Sequence, residues 1–341
     1  MSLRYLTPFF FVMLLPLGGW LGGPWTLLAA AATPLFLVTL DWIFGEERGS
    51  GRPAEVPRLL PRLYVLVQLA AMSSAIFLAL RSETSLLEVA GLAVSSGVTM
   101  GVFGFLAAHE MIHSRDRRER ALGLLLLASV FYMHFRIAHV YGHHRRAATH
   151  GDPASARLGE GLYPFLVRSI AGQVREAWVF EAQRLKRRGL AVASFSNRMI
   201  AYSVLEMLLL LALLVAGWKA AAFQLVVAAI AIILLEAFNY IAHYGLTRTA
   251  SAKGSLEALA PHHSWNSARR MNNAALFNMG RHSNHHSRPA QRYDRLEPID
   301  GESELPFGYA GALLTALLPP LWRHVMDRRV ISRAPANAEQ Q

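Results

Sequence analysis

Six stretches of this chain are each apolar for about twenty residues, the length that crosses a hydrocarbon core of ~30 Å. They run roughly over 5–22, 25–44, 61–80, 86–108, 200–217 and 220–240. The charged fraction of 17% agrees with a membrane protein, since soluble domains run nearer a quarter. Consecutive stretches pair into three hairpins that turn at Gly22-Gly23-Pro24, at Arg81–Ser85 and at Trp218-Lys219. Those turns hold only two basic residues, Arg81 and Lys219. The others lie at the termini, in 45–62, in 109–199 or after 241. By the positive-inside rule this asymmetry predicts a multi-pass protein of the cell inner membrane with both termini in the cytoplasm. The same rule accounts for the net charge of +11; no nucleic-acid-binding motif accompanies it, so nucleic acid is not an expected partner. The start, MSLRYLTPFFFVMLLPLGGW, reads as a first span and not as a cleavable signal, because it runs straight into a second apolar stretch.

The expected fold is an all-α membrane protein, with six transmembrane helices in three hairpins and a cytoplasmic histidine-rich helical cap. Residues 1–108 carry transmembrane helices one to four, and 109–199 carry the first two histidine clusters. Helices five and six occupy 200–240, the remaining clusters 241–330, and a disordered tail 331–341. A seventh apolar run, Ala121–Ile137, interrupts the pattern. If it crossed, the histidine clusters on either side of it would face opposite compartments. It also contains His134 and Arg136. It is therefore expected to be a re-entrant or interfacial helix covered by protein.

Fourteen histidines and no cysteine make up the metal-binding vocabulary of the chain. Nine fall in four clusters: His109 and His113 in HEMIH; His139, His143 and His144 in HVYGHH; His243 in NYIAHYG; and His282, His285 and His286 in RHSNHH. Clustered imidazoles without thiolates suit a borderline transition metal such as iron. Nine are too many for one ion, given the roughly four ligands that zinc takes, so two ions are expected. His109/His113, His139/His143 and His282/His286 share the i, i+4 spacing that sets two side chains on one α-helical face. Zero cysteines exclude disulfides and any built-in iron–sulfur or rubredoxin-like module, so electrons must come from another protein.

At these residues the chain resembles the integral-membrane alkane 1-monooxygenases, within the membrane fatty-acid desaturase and hydroxylase superfamily. HEMIH is similar to their first box, HVYGHHRRAAT with DPASAR to the second, NYIAHYG to their HYG motif, and HSWNS with RHSNHH to the third. The segment LPFGYAGALLTALLPPLWRHVMDRRV resembles their C-terminal pattern, so the likeness runs from about Asp41 to Val330. The resemblance implies a non-haem di-iron centre held by the nine histidines. Oxygen would be the co-substrate, a lipid-soluble hydrocarbon the substrate, and a rubredoxin or ferredoxin with its reductase the electron donor. It implies terminal hydroxylation of an alkane chain. Hydroxylation of alkyl-aromatic or terpenoid methyl groups and lipid desaturation are the enzymatic alternatives, and a non-catalytic membrane metal-binding protein is the reading from another class.

Two positions depart from that pattern. The family usually carries Glu before the first histidine of the second box and before the histidine of HYG, where this chain has Ala138 and Ala242. Carboxylates beside metal-bound imidazoles orient them and offset the charge of the ion, and the remaining candidates are Glu110, Asp152 and Glu236, with Asn239 nearby. His134, His150, His262, His263 and His324 read as hydrogen-bonding or surface residues, with His262-His263 close enough to HSWN to support the site. Glu206, like Glu236, lies within a predicted span, where ionisable groups are functional suspects. The basic tracts 115–120, 145–146 and 184–188 read as headgroup contacts or as a docking surface for an acidic electron carrier. Substrate size is expected to be set from the first four spans, with Phe10, Phe36, Trp42, Tyr64, Phe77, Phe103 and Phe105 as candidates.

Overall fold

The computed structural model describes residues 3–49, 59–248 and 256–332, and most of them are helical. Six helices are long and apolar enough to cross a membrane. Four of the six runs are single helices: α1 (Thr7–Leu21), α2 (Leu28–Phe44), α3 (Leu59–Ala79) and α10 (Arg198–Ala216). The fourth run, Leu86–Ile112, is a composite of α4 (Leu86–Thr99), a π-helical turn π1 (Met100–Gly104) and α5 (Phe105–Ile112). The last is α11 (Trp218–His243), which carries the chain directly to the HYG histidine. Both of these runs end a few residues past the sequence expectation, because their histidine-bearing ends continue the helix.

Packing separates the spans into an inner and an outer set. Leu86–Ile112 is 72% buried and α11 50%, whereas α10 is only 11% buried. α11 lies along α4 and π1, and α3 packs on α1. Small residues let these helices close up: a Cβ at Gly101 in π1 would come within 2.8 Å of the Leu234 side chain on α11. The short connections also touch. Ser85 and Glu88 form a reciprocal capping box at the start of α4. The same Glu88 accepts a hydrogen bond from Gly23 N at 2.7 Å, and Gly217 borders Leu80.

The run Ala121–Ile137 is no crossing helix. It forms the latter part of α6 (Arg117–Ser129), breaks at Val130–His134, and restarts as the short α7 (Phe135–Ile137). Phe131 takes a left-handed conformation, φ 55°, at the break. There the freed Met133 N–H donates to Glu206 of α10 at 2.8 Å. Glu206 thus satisfies a backbone donor that leaving the helix orphans.

After α7 come a second π-helical segment, π2 (Ala138–His143), and α8 (His144–Arg146). The amphipathic α9 (Leu162–Arg187) then runs beside π2. Gly142 gives the close approach: a Cβ there would come 2.9 Å from the Phe180 ring of α9. The last quarter holds α12 (Arg270–Ala275), α13 (His282–Ser287), α14 (Tyr309–Ala316) and α15 (Pro319–Ile331). An all-α expectation misses one detail here. Trp265–Asn266 (β1) and Ser303–Glu304 (β2) pair as two-residue parallel strands, which pin the loop before α14 to the loop before α12. The expected tail falls largely on 333–341, outside the described residues.

Candidate metal centre

All nine predicted histidines converge, and they do so as two groups. His109, His113, His139, His144 and His285 form one; His143, His243, His282 and His286 form the other. Within each group the candidate ligand nitrogens lie within 4.8 Å of one another. In the first, Nε2–Nε2 separations are 2.8 Å for His109–His139, 3.1 Å for His113–His144 and His139–His144, and 3.2 Å for His144–His285. In the second they are 3.2 Å for His243–His282 and 3.1 Å for His282–His286. The groups adjoin, with the His144 and His286 rings 4.6 Å apart.

The α-helical spacing predicted His139 with His143; the structure pairs His139 with His144 instead. The reason is π2. A π-helix bonds i to i+5, so residues five apart come onto one face and residues four apart diverge. His139 and His144 therefore reach the first group while His143 turns to the second. The ordinary α-helical α13 splits its histidines too, sending His282 and His286 (i, i+4) to one group and His285 to the other.

The arrangement fits metal ions. Bonds of ~2.1 Å from a metal to imidazole nitrogens put right-angle neighbours about 3 Å apart, close to the separations seen. His143 Nδ1 donates to Asp152 Oδ2 at 2.8 Å, and His243 Nδ1 donates to the His263 carbonyl at 3.1 Å. Each bond fixes the proton on Nδ1 and leaves the Nε2 lone pair facing the group. His143 Nε2 is buried and has no hydrogen-bond partner. Electrostatics agree with neutral ligands. Burial, helped by the neighbouring His143, pushes His113 down to about 3. Burial followed by the surrounding imidazoles holds His139, His144, His282, His285 and His286 well below the usual histidine range.

Of the predicted supporting acids, only Asp152 touches a grouped histidine among the described residues. Burial alone would raise its carboxyl, but His143 and the Ser155 hydroxyl, which donates at 2.7 Å, bring it below the ordinary range. Glu110 accepts from Tyr293 N at 3.1 Å instead. Glu236 is buried and accepts from Tyr132 Oη (3.0 Å), Ser169 Oγ (2.6 Å), Gln173 Nε2 (2.8 Å) and Asn239 Nδ2 (3.3 Å). It is a fully bonded carboxylate joining α11 to α9, and Asn239 belongs to that network. Ala138 and Ala242 are buried among packed neighbours.

A second support was not singled out by sequence reasoning: the main chain of His263. No side-chain signal marks a carbonyl, although the nearby HSWN stretch pointed to the region. Its own ring is held from both sides, with Nδ1 accepting from Ala260 N at 2.9 Å and Nε2 bonding Glu257 at 3.0 Å. Glu257, His262 and His263 stand close enough to suggest a third metal group. Acceptance at Nδ1, however, puts the His263 proton on Nε2, so that nitrogen has no lone pair for an ion. His134 is buried with its ring 4.3 Å from that of Tyr132, and burial pushes it down to about 4. His150 and His262 are exposed.

Beside the histidines lies an apolar cavity of about 210 Å³, walled by α2, α4, π1, α5, α11 and α14. Leu106, one turn before His109, and Ile241, two residues before His243, line its histidine end; Ala30 and Val98 line the far end. None of the seven aromatic residues named from the first four spans lines it. Phe10, Phe36, Trp42 and Phe77 face outward, while Tyr64, Phe103 and Phe105 are packed in the core. The aromatic lining comes from Phe238 and Tyr309 instead.

Comparison with known proteins agrees with this geometry. The fatty acid desaturase family model matches residues 85–315. Alkane 1-monooxygenase 2 of Pseudomonas aeruginosa is 42% identical over 241 residues, covering 70% of this chain and 64% of that protein, so the chain spans just under two thirds of its length. Alkane 1-monooxygenase 1 of the same organism is 38% identical over 303 residues, 85% of this chain and 79% of that one. The hydroxylase component of a xylene/toluene monooxygenase from Pseudomonas putida is 30% identical over 321 residues, 90% and 82% of the two chains.

Proposed function

Because the chain belongs to the alkane 1-monooxygenase family, a family of membrane oxidoreductases within the fatty acid desaturase fold group, we propose that it is a non-haem di-iron monooxygenase. In this reading it hydroxylates the terminal carbon of an alkane chain with O2, and a rubredoxin or ferredoxin system supplies the electrons. The observation that carries the reading is the convergence of nine histidines into two adjoining groups at the end of an apolar cavity. His109, His113, His139, His144 and His285 would hold one iron, and His143, His243, His282 and His286 the other. The bound pair would supply O2 activation, using two electrons and two protons so that one oxygen enters the C–H bond and the other leaves as water.

The remaining work falls to the chain itself. Asp152 and the His263 carbonyl keep the protons of His143 and His243 on Nδ1 and hold both rings in place. Asp152 is also the one carboxylate that touches the donor set among the described residues. With Ala138 and Ala242 in place of the family's usual acids, it supplies the nearest negative charge. The Leu, Val and Ile walls of the cavity keep water from the reacting end and admit only an apolar chain. Leu314 (45% exposed) and Leu317 (39% exposed) form a side opening between α2 and α14 through which a lipid-dissolved substrate enters. The charge asymmetry of the loops puts the histidine end in the cytoplasm, where a soluble electron carrier has access.

Purified protein in lipid nanodiscs, supplied with ferrous iron, a rubredoxin, its reductase and O2, tests the reading. Two irons per chain and 1-octanol from n-octane are expected. A zinc-bound protein, or an iron-loaded one that yields no alcohol from alkanes or alkyl-aromatics, overturns it. The xylene/toluene relative makes methyl groups on rings the alternative substrate, and the same assay reads that out with p-xylene.

A further inference from the structure

The cavity and the histidine groups meet at one side chain. Phe238 of α11 lines the cavity and also lies edge-on to His282, ring centroids 5.7 Å apart. Its other face stacks on Tyr309 of α14, centroids 4.4 Å apart and planes within 14°. Tyr309 is in turn anchored by its hydroxyl, which donates to the Trp265 carbonyl at 2.6 Å. A stacked aromatic pair fixed at one edge makes a rigid wall, because neither ring can turn without losing its partner.

Shape must do the selecting here. A substrate arriving from lipid gains nothing from leaving water, since the lipid tails are as apolar as the cavity walls. Discrimination then depends on where the walls stop the molecule. The far wall is Ala30, whose N–H donates to Ser95 of α4 at 3.2 Å. Between Val98 and Leu106 the lining helix advances about 12 Å at 1.5 Å per residue. A volume of about 210 Å³, set against a cavity of ~150 Å³ that holds benzene, takes about eight carbons. The remainder of a longer chain leaves past Leu314 and Leu317.

We propose that Phe238, braced by Tyr309, is the specificity-determining residue of the site: it is the end-stop that presents the last carbon of an unbranched chain of about eight carbons to the histidines and turns away inner carbons and rings. Ala30 sets the opposite limit. The inference rests on the hydroxylase reading and sharpens it to a substrate shape.

The test uses the full chain in nanodiscs with iron and the electron-transfer proteins, and the probes are n-octane, n-dodecane and p-xylene. Truncating a wall by one side chain should change discrimination about tenfold or more. Phe238→Ala should raise the ratio of 2-octanol to 1-octanol and the ratio of p-xylene to n-octane products by that factor at unchanged iron content. Phe238→Leu should fall between it and the wild type. Ala30→Phe should lower dodecane turnover relative to octane about tenfold and leave the 1-octanol share unchanged. If the wild type is active and both Phe238 variants keep its product ratios, or if both lose all activity while still holding iron, the end-stop role is wrong. A dodecane-to-octane ratio unmoved by Ala30→Phe removes the far wall from the proposal. A wild type that makes no product from any probe is a failure of the hydroxylase reading instead.

Discussion

Replacing Asp152 should weaken one metal position and spare the other, by an amount that its hydrogen bonds define. Its Oδ2 receives both His143 Nδ1 (2.8 Å) and Ser155 Oγ (2.7 Å), while Oδ1 receives Ala154 N at 3.2 Å. In Asp152→Asn the amide oxygen can keep the first two bonds only by turning its NH2 toward the Ala154 N–H. The variant therefore retains the orientation of His143 and loses the negative charge and one long bond. Asp152→Ala loses all three, and leaves the His143 Nδ1–H buried without an acceptor. Removing a partner of this kind typically costs 10- to 100-fold in metal affinity. The Asn variant belongs at the low end, about tenfold or ~1.4 kcal/mol, and the Ala variant at the high end, about 100-fold or ~2.8 kcal/mol. The loss should fall on the group of four, since none of the five histidines in the other group touches Asp152 among the described residues. Iron titration against a graded chelator series, with 57Fe Mössbauer spectra to distinguish the two positions, measures both quantities. Equal weakening at the two positions, or wild-type affinity in both variants, would refute the argument that Asp152 acts through His143.

Other consequences can be measured alongside. His143→Ala should abolish hydroxylation and lower iron content, whereas His324→Ala should do neither; activity surviving the first change would break the ligand assignment. Glu206→Ala strands the Met133 N–H and should cost about 1–3 kcal/mol of stability, read as a lower unfolding midpoint in detergent, while Glu206→Gln keeps an acceptor and should recover most of it. His134 is held neutral by burial at a pKa of about 4 against ~6.5 in the unfolded chain. Between those values the unfolded state binds the extra proton, so this contribution is complete above about pH 6.5 and is lost as pH falls toward 4. His134→Phe should flatten that part of the stability profile, and an unchanged slope would show that other groups set it.

What the sequence reveals here is chemistry more than grouping. The nine histidines are readable because residue type and clustering suffice, and the spans because twenty apolar residues have few other uses. The exclusion of Ala121–Ile137 is readable from its length, its His134 and Arg136, and the need to keep the clusters together. The partition of the second box is not, since it depends on a π-helical segment whose extra backbone turn carries no side-chain mark. Glu206 looks like a suspect intramembrane acid and proves to be a backbone acceptor, because its partner arises only where α6 breaks. The His263 carbonyl has no residue signature at all. Phe238 escaped notice for a different reason: attention to the first four spans passed over α11 and α14, which supply the aromatic wall.

The π-helical segment from Ala138 to His143 also makes the second box intolerant of changes in length. It amounts to one residue more than an α-helix would hold over the same rise. Deleting any one residue between His139 and His143 would return that stretch to the α period and swing everything after it by about 100° around the axis. His143 and His144 would then exchange or miss their destinations, although every histidine would still be present. A substitution such as Val140→Ile should pass almost unnoticed there, while a single-codon deletion should leave a protein that has all its ligands and cannot bring them together.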